Sequence, residues 1–151
     1  MADGVTVAAT GPADEADWRR LWAGYCAFYE VSLPEETVAE VWRRIVTPGE
    51  ATSGLIARGA DGRALGLCNY ILHPNTWGTA PICYLEDLFT APDARGRGVG
   101  RALIGRLVDL AREQGWSRVY WHTHEGNATA RALYDKVAGG SDGFVRYVIR
   151  T

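Results

Sequence analysis

Tyr84-Leu85-Glu86-Asp87-Leu88-Phe89-Thr90, then Ala91-Pro92-Asp93, then Arg95-Gly96-Arg97-Gly98-Val99-Gly100-Arg101 is the stretch from which the fold can be read. Its first segment is rich in strand formers, and Ala91-Pro92-Asp93 breaks it. The glycine-rich turn opens a segment in which Val99, Leu103, Leu107 and Leu110 share one face. That spacing predicts a helix from Val99 to Gln114. Glycines let a backbone approach a ligand with no Cβ in the way. The first helical N–H groups are unpaired, and with the helix dipole they form an anion site suited to phosphate. The Walker A pattern is absent. The dinucleotide pattern fails too, because its last position falls on Arg101 or on Leu103. The plain alternative is a glycine-rich turn that binds nothing.

The elements on either side set the class. Val5 to Ala9 reads as an opening strand. Trp18, Leu21, Trp22, Tyr25, Phe28 and Tyr29 recur at helical spacing. Ser32-Leu33-Pro34-Glu35 has the pattern of a capping box, so a second helix is predicted from there to Thr47-Pro48-Gly49. Leu55–Arg58 and Ala64–Leu72 read as strands joined by a turn at Gly59-Ala60-Asp61-Gly62. A third strand covers Pro81 to Thr90. Beyond the Val99 helix, a strand is predicted over Arg118–Thr123, a helix over Asn127–Val137 and a last strand over Phe144–Arg150. Together these give a single mixed α/β domain over residues 1–151.

The chain has 151 residues, one domain's length. Hydrophobic residues make up 47% and charged residues 23%, which fits a globular domain and argues against disorder. The net charge of −2 lacks the basic footprint of a nucleic-acid binder. Cys26, Cys68 and Cys83 are odd in number and form no C-x-x-C pair. That favours a reducing compartment over a disulfide framework. Met1-Ala2-Asp3-Gly4 has no signal-peptide character, and no apolar run is long enough to span a membrane. A cytoplasmic protein is therefore expected, with neither nucleic acid nor membrane as partner. His122 and His124 alternate to one face of a strand end, without an evident third ligand, so no metal is expected.

Arg95-x-x-Gly98-x-Gly100 resembles the [Arg/Gln]-x-x-Gly-x-[Gly/Ala] signature of the GNAT acetyltransferase superfamily. Asn127-x-x-Ala130-x-x-x-Tyr134 is similar to the helix that follows strand five in those enzymes. The Tyr84–Thr90 segment resembles the polyamine and diamine acetyltransferases. Leu133 to Ala138, followed by Gly143-Phe144, is similar to relatives described as histone and D-amino-acid acetyltransferases. One departure is the stretch Val137 to Asp142 before Gly143-Phe144, where many members read Tyr-x-x-x-Gly-Phe. The resemblance implies a GNAT fold: mostly antiparallel N-terminal strands with a central splayed parallel pair. It implies acetyl-CoA as donor, a small-molecule primary amine as acceptor and a homodimer. A CoA-binding module without turnover, or an enzyme acting on a protein or peptide amine, are the alternatives.

Residue roles follow from the same resemblance. Arg95, Gly96, Arg97, Gly98, Val99, Gly100 and Arg101 would hold the pyrophosphate. The backbone of Leu88, Phe89 and Thr90 would pair with the pantetheine arm, as an added strand does. Asn127 would bond that arm or only cap its helix. An amine with pKa near 10 is almost wholly protonated at pH 7, so its attack on a thioester is helped by a base. Strand alternation puts Glu86 with Ile82, Tyr84 and Leu88 on one face and Asp87 on the other. Glu86 is then a base, an anchor for a cationic substrate or an ion-pair partner, and Asp87 is structural. Tyr134 matches the family's general acid, with packing as its plain alternative. Tyr29, Glu30, His73 and Trp77 are candidates for acceptor contacts.

Overall fold

In a computed structural model the described residues are 4–151, so the expectation about a signal peptide rests partly on residues outside them. Two compact parts are present, residues 4–121 and residues 122–151.

The first part is a five-stranded sheet with three helices. Its strands are β1 (Thr6–Ala9), β2 (Thr52–Arg58), β3 (Ala64–His73), β4 (Ile82–Thr90) and β5 (Val119–Tyr120), in that spatial order. Neighbours are antiparallel except β4 and β5, which run parallel. That parallel pair matches the expectation in kind but lies at the end of the strand order, not at its centre. It is two residues long, Cys83↔Val119 and Tyr84↔Tyr120. From Leu85 to Thr90, β4 continues with no register partner on β5, so the two strands part there.

The helices are α1 (Glu15–Phe28), α2 (Glu35–Val46) and α3 (Val99–Gln114). Trp18 of α1 is fully buried and reaches Asn69 of β3, while a Cβ at Gly66 would strike Val99 and Leu103 of α3. Asn69 and Gly66 point to opposite faces of β3, so α1 and α3 cover opposite faces of the sheet. Trp18 stacks on Trp22 and tilts against Trp42 of α2, with centroids 5.5 and 5.4 Å apart. Arg58 of β2 ties the sheet to the start of α1 through Asp14 at 2.6 Å and Asp17 at 2.9 Å. Arg19 bridges Glu15 and Glu35, linking α1 to α2.

Two local expectations are corrected. Helix α2 begins at Glu35 with Pro34 as its N-cap, and no side chain caps it, so the Ser32 box does not form. Pro34 takes the N-cap position and accepts the first backbone bonds, from Thr37 and Val38, so Ser32 falls two residues before the cap. The strand expected at Arg118–Thr123 shortens to Val119–Tyr120, the two residues in ladder register with β4.

The second part holds α4 (Ala128–Ala138). Asn127 is its N-cap, accepting from the Ala130 N–H at 3.3 Å, and Gly139, with φ 76°, ends it. The first half of the departure from the family pattern, Val137 to Gly139, is therefore the end of α4 and its glycine stop. Beyond it, Ser141 and Asp142 accept bonds from the Gly143 and Phe144 N–H groups. The strand expected over Phe144–Arg150 is not formed: the segment takes no strand pairing among the described residues.

Candidate active site

β4 carries the site, and its alternation is broken. Tyr70 pairs with Leu85 but Asn69 pairs with Asp87, so β4 has one residue, Glu86, that β3 does not match. This is a β-bulge. It corrects the expected alternation: Asp87 joins Ile82 and Tyr84 on their face, and Leu88 moves to the other. Glu86 is exposed between buried Leu85 and partly buried Asp87. It enters none of the ion pairs among the described residues, so the ion-pair role has no partner there.

Asp87 sits in a polar network that sequence reasoning missed. It accepts from the Asn69 side-chain amide at 3.1 Å and from the Tyr25 hydroxyl. Asn69, 3% exposed, accepts in turn from the Trp18 indole N–H at 3.2 Å. Burial pushes the Asp87 carboxyl up to about 6, against the two hydrogen bonds and with help from the Glu86 charge. Burial also raises the Tyr25 hydroxyl, and the Asp87 charge adds to it. The signal in the sequence was the adjacent pair of acids inside an apolar strand, since a period-2 pattern cannot say which of two neighbours the sheet will skip.

The phosphate-loop candidates follow β4 directly. Gly96 and Gly98 have φ of 78° and 75°, the left-handed region that side chains with a Cβ avoid. Gly98 is the N-cap of α3, and no side chain caps the helix. The first turn holds no acidic residue, and the first bond to Gly98 comes from Ala102. The N–H groups of Val99, Gly100 and Arg101 are thus left for a ligand, with Arg95 and Arg97 exposed beside them. Arg95 lies over the Phe28 ring and donates to the Thr90 carbonyl at 3.4 Å. Donors without a cap and a first turn without carboxylates fit a pyrophosphate. A cavity of about 700 Å³ opens between α1 and the end of β4, lined by Gly24, Phe28, Phe89, Ala91 and Arg95 among others.

The remaining candidates are spread out. His73 is engaged on both ring nitrogens, with the Tyr120 hydroxyl and the Pro74 carbonyl, each at 2.9 Å. Trp77 is 94% exposed in the loop after β3. Tyr29 and Glu30 follow the end of α1, Tyr29 packed on Tyr25 and Glu30 at φ 54°. Leu88, Phe89 and Thr90 form the part of β4 that has left β5, with Phe89 buried under α1. Asn127 and Tyr134 belong to the second part, at the start and middle of α4. Cys68 and Cys83 are fully buried, and burial pushes the Cys83 thiol up to about 12 and the Cys68 thiol further.

Comparison with known proteins bears on the family and the fold. The family described as "Acetyltransferase (GNAT) family" matches residues 18–139. The D-amino-acid N-acetyltransferase HPA3 of Saccharomyces cerevisiae is 35% identical over 141 residues, 93% of this chain and 88% of that protein. A thialysine N-epsilon-acetyltransferase of Caenorhabditis elegans is 35% identical over 89 residues, 58% of this chain and 54% of its own length. A solved structure of AAC(6')-Iy with the bisubstrate analog CoA-S-monomethyl-acetylneamine has the same fold. Its TM-score is 0.81, with 19% identity and 97% of each chain covered. The chain belongs to the GNAT family of acetyltransferases.

Proposed function

We propose that residues 1–151 act as one acetyl-CoA-dependent N-acetyltransferase domain whose acceptor is the primary amine of a small molecule. The observation that carries this is the succession along one strand: Glu86 lifted out of the pairing at a bulge, a stretch of β4 free of β5, then an uncapped helix start rimmed by arginines. Acetyl-CoA, when bound, supplies an acetyl thioester activated toward amines. The N–H groups at the start of α3, with Arg95 to Arg101, hold its pyrophosphate. Leu88, Phe89 and Thr90 offer backbone to its pantetheine arm, and Asn127, besides capping α4, offers its amide.

Glu86 removes a proton from the ammonium, directly or through one water. The freed nitrogen lone pair forms the C–N bond as the C–S bond breaks. Tyr134 would give its phenolic proton to the departing sulfur, and the second proton shed by the acylated nitrogen would restore the phenol. Direct transfer, with no acyl-cysteine, is supported by the state of the thiols: Cys68 and Cys83 are buried and held protonated, and burial raises Cys26 as well. Glu86 and Glu30 supply negative charge for a cationic acceptor, while Tyr29, His73 and Trp77 border it.

The acceptor class follows the relatives' names, a D-amino acid and a lysine analogue, so amino acids are the first class to test and polyamines the second. A homodimer in the cytoplasm belongs to the same reading, and sedimentation equilibrium checks the dimer. The deciding assay follows CoA release with spermidine, L- and D-amino acids, S-(2-aminoethyl)-L-cysteine, an aminoglycoside and a basic peptide. Turnover on a small amine is expected. Acetyl-CoA binding without turnover on any acceptor would turn the reading toward a CoA-binding module, and turnover on the peptide alone toward a protein acetyltransferase.

A further inference from the structure

We propose that Asn69 is a positioning residue for catalysis: its side chain selects Asp87 as the strand partner and so forces Glu86 out into the bulge. This rests on the reading of Glu86 as the base.

The sequence leaves a choice of register open. β4 offers β3 two consecutive acids, and a strand that slips by one residue exchanges its faces. In the slipped register Glu86 would lie opposite Asn69 and be drawn under α1. Asp87 would turn to the face covered by α3. Backbone pairing alone discriminates poorly between these registers, since either satisfies a ladder.

Side-chain chemistry supplies the discrimination. The buried Trp18 indole N–H can only donate, and the Asp87 carboxylate can only accept. Asn69 lies between them, accepting at Oδ1 from Trp18 (3.2 Å) and donating from Nδ2 to Asp87 Oδ2 (3.1 Å). A side chain that accepts at one end and donates at the other is what the position requires. Leu would orphan the Trp18 N–H and leave Asp87 with the Tyr25 hydroxyl alone, and an ionised Asp would repel Asp87. Tyr25 closes the network by donating to Asp87, so α1 holds it from two places, Trp18 and Tyr25. The register steps by one residue at the pair that this bond joins, with Tyr70↔Leu85 on one side and Asn69↔Asp87 on the other. The length of the Asp side chain contributes: the carboxyl that remains under α1 is the shorter one, and the longer Glu86 is left outside.

Two measurements on the full chain test this, one independent of any acceptor. Amide hydrogen exchange by NMR compares wild type with Asn69→Ala. Exchange at Glu86, Asp87 and Leu88 should accelerate at least about tenfold more than at Leu55 and Ile56 in β2. Equal acceleration at all these amides, or none, would overturn the proposal and leave Asn69 as packing. The second measurement is a double-mutant cycle with Glu86→Gln, using D-lysine and S-(2-aminoethyl)-L-cysteine as acceptor probes. Asn69→Ala alone should lower kcat about 10- to 100-fold. In the Glu86→Gln background it should cost nothing further, because a residue acting through Glu86 has nothing left to position.

Multiplying effects, with Glu86→Gln itself slow, would overturn the positioning role and leave the base in place. Wild-type turnover by Glu86→Gln would instead overturn the reading of Glu86 and the catalytic half of the proposal with it. Should Asn69→Ala not fold, Asn69→Asp serves in both measurements. It keeps an acceptor for Trp18 and, once ionised, pushes Asp87 away. If neither probe is acetylated, the exchange comparison decides.

Discussion

At residue scale, two adjacent carboxyls differ because one is in water and the other is under a helix. Glu86→Gln should lower turnover about 10²- to 10⁴-fold with acetyl-CoA affinity unchanged, as steady-state rates and calorimetry would show. Asp87 behaves in the opposite way in a stability experiment. Its folded pKa is raised to about 6 by burial, so the folded state holds this proton where the unfolded chain has released it. The stabilisation is complete below the unfolded value near 3.9 and is lost as pH rises through about 6. The lost contribution is at most about 3 kcal/mol. Asp87→Asn cannot ionise, so its stability relative to wild type should rise between pH 4.5 and 7.5 in urea titrations. A difference that stays flat across that range would refute the shift. Other carboxylates, such as the ion-paired Asp93, drift the opposite way in both proteins and cancel in the comparison.

At element scale, what could be read in advance divides by whether an element is decided locally. Helix α3 runs from Val99 to Gln114 as expected, because its apolar face, its glycine start and its Gly115 stop all lie in adjacent sequence. The bulge in β4 and the fate of Phe144–Arg150 depend on a partner strand, and no local pattern names one. Asn69 was illegible for the same reason: its two partners lie 51 and 18 residues away. The helix starts are testable in their own right. Gly98→Ala forces a Cβ into a left-handed conformation, at a cost of about 1–2 kcal/mol. A relaxed turn would misaim the N–H groups of α3, so the KM for acetyl-CoA should rise about tenfold. Tyr134→Phe, on α4, should lower kcat and leave that KM alone.

At the scale of the whole molecule, the core belongs to the first part of the chain. The buried cluster joins α1 and α2 to one face of the sheet and α3 to the other, and Trp18 is its fully enclosed centre on the α1 side. Trp18→Ala removes the stack on Trp22, the contact with Trp42 and the bond to Asn69 together. A loss of about 3–5 kcal/mol is expected in chemical denaturation. Against a typical total of about 5–15 kcal/mol, this variant should be close to unfolding at physiological temperature. The broad class, a mixed α/β chain built around β4 and α3, was readable because it needs only the order of elements. The meeting of α1 with the bulge was not, because it exists only once distant segments have packed.

Burying Cys68 and Cys83 while leaving Cys26 partly open also decides how the enzyme can be watched. A disulfide dye that colours free thiols would find one slow protein sulfur per folded chain. Colour that keeps growing past that ratio is released CoA and nothing else. In denaturant the same dye would count three sulfurs, so one reagent reports both turnover and the integrity of the molecule performing it.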